Sequence, residues 1–121
     1  MEKSKFREWF TSSGKQVLAG KNSKTNEELV AQVGPKETVL HTALPGSPFV
    51  NIKGKATKQD ITDSAIFCAK HSQAWRDTKK DVSIHVFLGE DIFKTKVMDE
   101  GTFGVKNFKK IIAKKGDIAK I

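Results

Sequence analysis

Two threonine-headed helix starts, Thr25-Asn26-Glu27-Glu28 and Thr57-Lys58-Gln59-Asp60, interrupt a chain that otherwise reads as short strand-like runs. Each places a hydroxyl where it can accept an orphan backbone N–H, and a carboxylate three residues on that can reach back. The first helix has Leu29, Val30 and Val33 as its apolar face and stops at Gly34-Pro35, a glycine cap followed by a residue that cannot continue the helix. The second is expected to run to about Asp77, with Ile61, Ala65, Cys68, Ser72 and Trp75 on one stripe. Steps of four and three place such residues on one helical face, so Trp75 reads as core rather than as a stacking platform.

The strand-like runs lie around these helices. Phe6–Thr11 and Gln16–Ala19 flank the turn residues Ser12-Ser13-Gly14-Lys15, the pattern of a β-hairpin. Thr38–His41 and the alternating Phe49–Lys53 are joined through Leu44-Pro45-Gly46-Ser47-Pro48, a loop that two prolines stiffen. Val82–Leu88 turns from alternation to a continuous apolar run, as a central strand can. Gly101–Ile112 contains at least one further strand with lysines on its exposed side, and a basic tail over 110–121 is expected to fray beyond about Lys114. The expected architecture is a single α+β domain over 1–121. It has one mixed, largely antiparallel sheet, with two main helices packed on one face.

A chain of 121 residues buries roughly two-thirds of the surface its unfolded form exposes, enough for a core without cross-links. Cys68, the single cysteine, has the apolar neighbours Ile66, Phe67 and Ala69 and reads as a small core residue. It cannot form an internal disulfide or supply the cysteine pairs of a structural zinc site, and it suits a reducing compartment. A charged N-terminus without an apolar segment behind it carries no secretory signal, and no apolar stretch is long enough to span a bilayer. The expectation is a soluble, cytoplasmic protein with no membrane partner.

Charge gives the first functional indication. Lysines and arginines number 22 against 14 acids, a net charge of +8, and such a field attracts polyanions. The excess is uneven, for Gly104–Ile121 carries six lysines against Asp117 alone. Catalytic motifs are missing: there is no Gly-x-Ser-x-Gly elbow, Walker loop or His-Glu-x-x-His pattern. His41, His71 and His85 have no metal-ligand spacing, so neither a metal nor a cofactor is expected. Glu90-Asp91 and Asp99-Glu100 fall in turns and are assigned no role.

Two polar segments remain. Gly20-Lys21-Asn22-Ser23-Lys24 precedes a helix N-terminus, where free N–H groups and the helix dipole favour an anion. Lys21, Asn22, Lys24 and Asn26 there suit a phosphate or a 2′-hydroxyl, although an ordinary capped loop reads equally well. His41 leads into a stiff turn bearing Ser47, whose hydroxyl suits a backbone phosphate; a histidine bonded to the turn's own carbonyls is the alternative.

Taken together, GKNSKTNEELV and HTALPGSPFVNIK resemble the NFACT-R domain, the RNA-binding module of the NFACT ribosome quality-control factors. Gly20-Lys21, Asn26-Glu27, His41, Pro45-Gly46-Ser47 and Val50–Lys53 fall in that family's order. Cys68–Trp75 follows the pattern of its helix ending, and Lys94-Thr95 and Gly101-Thr102-Phe103 that of its C-terminal part. The likeness spans about Phe6 to Lys110. The large N-terminal domain, helix-hairpin-helix elements and coiled coil of the long members have no counterpart, so the chain looks like a stand-alone version. The resemblance implies binding to RNA, ribosomal or transfer, with the ribosome as a further partner.

The function expected is therefore RNA binding without catalysis. Lys21, Asn22, Lys24, Asn26, His41, Ser47, Lys53, Lys94, Lys106, Lys109 and Lys110 are expected to share one phosphate-facing surface. Few exposed aromatics are expected, so base stacking should be modest. The competing readings are a nucleic-acid-processing enzyme centred on His41, with Asn26 and Ser47, and a protein adaptor with an exposed apolar patch.

Overall fold

The computed structural model describes residues 5–44 and 46–121; Pro45, one of the two prolines read as stiffening its loop, lies outside them. Strand β1 (Arg7–Phe10) and strand β2 (Gln16–Ala19) form the expected hairpin. Strands β3 (Thr38–Thr42), β4 (Val50–Ile52), β5 (Val82–Leu88) and β8 (Lys109–Ala113) join them in a six-stranded sheet ordered β1-β2-β4-β3-β5-β8. Every pairing in this sheet is antiparallel. Strands β6 (Ile92–Phe93) and β7 (Gly104–Val105) form a separate antiparallel pair. With four helices added, the α+β class and the largely antiparallel sheet are as expected.

Alternate residues of the strands feed two cores. Val17, Ala19, Leu40, Val50, Ile52, Val82 and Ile84 pack with Ala65, Phe67, Cys68 and Ala69 of helix α2 (Lys58–Lys70). Val39 and Phe87, from the opposite face, pack with Leu29 of helix α1 (Ser23–Ala31) and with Phe49. The two longer helices thus lie on opposite faces of the sheet, not together on one. The period-2 alternation of a strand assigns residues to two faces but does not say which helix covers which.

Local chemistry explains where the helices begin and end. Helix α1 starts three residues earlier than Thr25 suggests, because Asn22 is the cap. Asn22 Oδ1 accepts the Thr25 N–H at 3.0 Å, and Thr25 Oγ1 accepts the N–H groups of Asn22 and Lys21 at 2.9 and 2.7 Å. Thr25 is the far half of this capping box, and the helix ends at Ala31, ahead of Gly34. Helix α2 keeps its expected Thr57/Asp60 box. It stops at Lys70 instead of Asp77, because the Ser72 hydroxyl donates to the Ala69 carbonyl at 2.7 Å and accepts the Trp75 N–H at 3.1 Å. The Gln73 N–H meanwhile bonds the Gly46 carbonyl at 2.8 Å, so a new helix, α3 (Gln73–Thr78), begins there. Trp75 is buried, as its place on the stripe suggests.

The C-terminal segment differs most from expectation. Residues 115–119 form helix α4 (Lys115–Ala119), and Ile118 is 0% exposed within the first core, beside Ala113 and α2. Asp81 holds the entry to this helix by accepting the Lys115 N–H at 2.8 Å. Burying an isoleucine is worth roughly 1.5–3 kcal/mol. The lysine-rich composition conceals this anchor, since one apolar residue among several lysines is a weak pattern.

Candidate nucleic-acid interface

A groove of about 760 Å³ runs from the strand ends at one sheet edge onto the sheet face near the other. Its lining takes residues from every strand of the main sheet or from the residue beside it. These are Arg7 of β1, Gly20 after β2, Phe49 before β4, His41 of β3, His85 of β5 and Phe108 before β8. Six strands at roughly 4.8 Å spacing make this about 24 Å from end to end, room for several nucleotides.

The loop after β2 is held by Asn26, whose Oδ1 accepts the Phe49 N–H at 3.1 Å while the Gly20 N–H donates to the Phe49 carbonyl at 3.1 Å. A Cβ at residue 20 would lie 1.9 Å from that same Oδ1, so only glycine fits there. Opposite, Gly101 sits at φ +81°, and a Cβ on it would come within 2.8 Å of the Ser23 backbone. Glu27 fixes this approach by accepting the Gly101 N–H at 2.6 Å and the Lys94 ammonium at 3.0 Å. Those two donors, Gly101 foremost, hold the Glu27 carboxyl below its usual range. Lys94 also donates to the carbonyls of Asp99 and Thr102 and lies 4.6 Å from the centre of the Phe103 ring. Three separated sequence motifs thus form one clasp along the groove wall.

His41 lies over Phe49, ring centroids 4.4 Å apart, and its Nδ1 is 2.8 Å from the Thr42 carbonyl. A carbonyl only accepts, so Nδ1 carries the proton and Nε2 keeps a lone pair. Burial pushes the His41 pKa down, the Thr42 carbonyl partly opposes this, and His85 adds to the lowering. His85 faces His41 across the β3–β5 pairing and stacks on Phe108 at 4.0 Å and 24°. Ser47 also lines the groove, but its hydroxyl accepts the Thr42 N–H at 3.1 Å and so serves the turn itself.

The charge of the lining comes chiefly from two residues that the sequence reading passed over. Arg7 and Arg76 are the only arginines in the chain, and both line the groove with Lys21, against Glu100 as the only acid among the described residues. His71 lies near both, and its pKa is lowered first by burial and then by the charges of Arg7, Lys70 and Arg76. The rarity of arginine among so many lysines was the available signal, since its planar fork suits phosphate in a way an ammonium does not.

The expected residues divide accordingly. Lys21, Asn22, Asn26, His41 and Ser47 converge in the groove. Lys53 lies elsewhere, with its ammonium shared by Glu37 at 2.8 Å and Gln32 at 2.8 Å. Lys94 belongs to the clasp. Lys24 is exposed on α1 outside the lining, as are Lys106, Lys109 and Lys110 near β8, where Lys110 pairs across from His85. Among the described residues, no group of three His, Cys, Asp or Glu is placed to hold a metal ion. Cys68 is buried and its thiol is pushed up to about 12 by desolvation, which suits packing and not nucleophilic attack. No helix among those residues is long and apolar enough to cross a membrane.

Gly20, Lys21, Asn26, Glu27, His41, Gly46, Ser47, Lys94 and Gly101 of the clasp and groove are among the residues on which the family resemblance rests. A family model for the NFACT protein RNA binding domain matches residues 5–107. The chain belongs to this family. Among curated proteins, this NFACT RNA-binding domain is 30% identical over 91 residues to the archaeal Rqc2 homolog aRqcH of Methanocaldococcus jannaschii. That match covers 72% of the chain and 14% of the relative. Among solved structures, the C-terminal of the fibronectin/fibrinogen-binding protein from Streptococcus suis has the same fold, with a TM-score of 0.83 at 20% identity. The likeness covers all of this chain and 50% of that one. The family match ends before β8, so Lys109 and Lys110 lie beyond it.

Proposed function

We propose that this NFACT RNA-binding domain binds ribosomal or transfer RNA in the cytoplasm, in contact with the ribosome, and that it holds the RNA without chemically changing it. The observation that carries the reading is the placement of both arginines and Lys21 in one groove lined by a single carboxylate among the described residues. Neutralising phosphates there releases counterions, so affinity should fall steeply with salt. Recognition of RNA over DNA is supported by His41, whose Nε2 lone pair can accept a hydrogen bond from a 2′-hydroxyl. Titration with total tRNA and with a ribosomal RNA fragment at low salt tests the reading. Saturable, salt-sensitive binding is expected, and its absence with both would end the proposal.

One observation favours a second reading, RNA cleavage centred on His41. His41 and His85 are cross-strand partners within the same groove, the arrangement a general base and a general acid would need. Incubating labelled RNA with the protein separates the two. Turnover that disappears in His41→Ala would favour the enzyme; intact RNA favours binding alone.

A further inference from the structure

Phe108 is 51% exposed, yet it is not a stray surface aromatic. Its ring stacks on His85 within the groove lining, and beyond it lie Phe87, Phe103 and Val105 of the same lining. The second core also takes in those three residues, so this end of the groove is apolar. The other end holds Arg7, His71 and Arg76. The lining is thus divided into a cationic part and an aromatic part, with His41 between them on Phe49.

A nucleotide has the same division, an anionic backbone joined to a flat base. We propose that the Phe108–His85 stack receives an unpaired base whose backbone continues toward Arg76 and Arg7, and that the groove's ligand is single-stranded RNA or a flipped-out loop nucleotide, not a duplex. This rests on the reading of the groove as an RNA site and narrows it. A base inside an A-form helix is stacked on its neighbours and cannot offer a face to Phe108, whereas an unpaired base can. Stacking needs an exposed ring held flat by its surroundings, and His85 supplies that support from behind. Lys110, across from His85 on β8, adds a charge beside the platform.

The test compares two probes, an eight-nucleotide oligoadenylate and a sixteen-base-pair RNA duplex, by fluorescence anisotropy at one salt concentration. Phe108→Ala should lower the ratio of single-strand to duplex affinity about five- to hundred-fold, the range for one stacked base. Phe108→Trp, which keeps a ring, should restore it. Far-UV circular dichroism and a melting curve check that both variants fold, and the half-exposed position makes that expected. A ratio unchanged in Phe108→Ala, with wild-type protein binding RNA normally, overturns the base platform and leaves the RNA groove standing. Wild-type preference for the duplex overturns it in the same way. Failure of the wild-type protein to bind either probe removes the underlying RNA reading as well.

Discussion

The Gly101 N–H donates to the Glu27 carboxylate at 2.6 Å, joining positions 74 apart in sequence. Glu27 is on the α1 side of the groove and Gly101 is in the β6–β7 connection, so this bond sets the distance between the two.

Replacing Gly101 by alanine should therefore weaken both fold and binding. The residue sits at φ +81°, and an added methyl would meet the Ser23 backbone at 2.8 Å. Backbone strain of this kind costs about 1–3 kcal/mol, and the listing of the wall away from α1 should also lower RNA affinity. Urea denaturation and RNA titration of Gly101→Ala measure the two effects. Retention of full stability would show that the loop accommodates a side chain and that the clasp does not set the groove's width.

The two arginines should account for much of the electrostatic part of binding. If each neutralises one phosphate of a single strand, Arg7→Ala and Arg76→Ala should each reduce the slope of log affinity against log salt by about 0.7. Lys53→Ala removes the same formal charge, but its ammonium already faces Glu37 outside the groove, so the slope should stay as in the wild-type protein. Anisotropy titrations over a series of salt concentrations decide the matter. Equal loss in all three variants would mean that net charge, not the groove, governs binding.

Acid should destabilise the free protein through His41. Burial holds its folded pKa below the usual 6.5. As pH falls the unfolded chain therefore takes up the proton first, and stability falls with it. The contribution is complete above pH 6.5 and is lost as pH drops through that value toward the folded pKa. His71 and His85 shift in the same direction, so His41→Gln should flatten the profile without abolishing it. Urea midpoints at pH 7.5 and 5.5 for both proteins provide the comparison; identical profiles would mean that His41 titrates alike folded and unfolded.

Much of this could be read from the residues, and the parts that could not have a common cause. The β1–β2 hairpin, the Thr57/Asp60 cap and strand β5 rest on neighbours in sequence and come out as read. Of the residues expected to share a surface, Lys21, Asn22, Asn26, His41 and Ser47 line the groove, while Lys24, Lys53, Lys106, Lys109 and Lys110 lie outside its lining. The break at Ser72 depends on the Gly46 carbonyl, supplied by a loop more than twenty residues away. The start of α1 lies before the expected one because Asn22 is an equally good cap and Thr25 serves as the other half of its box. Arg7 and Arg76 enter the groove from β1 and α3, and Phe108 from the residue before β8. Sheet order sets Arg7 and Phe108 at opposite edges of one sheet, and the break at Ser72 sets Arg76 on α3; neither is written in local periodicity. Phe108 is one of the few exposed aromatics, and its place in the groove escapes local patterns for the same reason.

The C-terminal helix gives the plainest contrast between composition and structure. Ile118 is fully buried against the first core, although the residues around it are exposed and rich in lysine. Ile118→Ala should cost about 2–5 kcal/mol, the range for an aliphatic residue truncated to alanine inside a packed core. For a chain of this length that corresponds to a fall in melting temperature of roughly 8–20 °C. Lys120→Ala, two residues further on and exposed, should change stability by no more than about 0.5 kcal/mol. Thermal and urea denaturation of the two variants side by side settles the question. If Ile118→Ala melts with the wild-type protein, the last turn is not part of the cooperative core and the tail frays as its lysines suggest. A large loss confined to Ile118 means that a single apolar side chain ties the basic end of the chain, and with it β8 and the residue that presents Phe108, to the body of the fold.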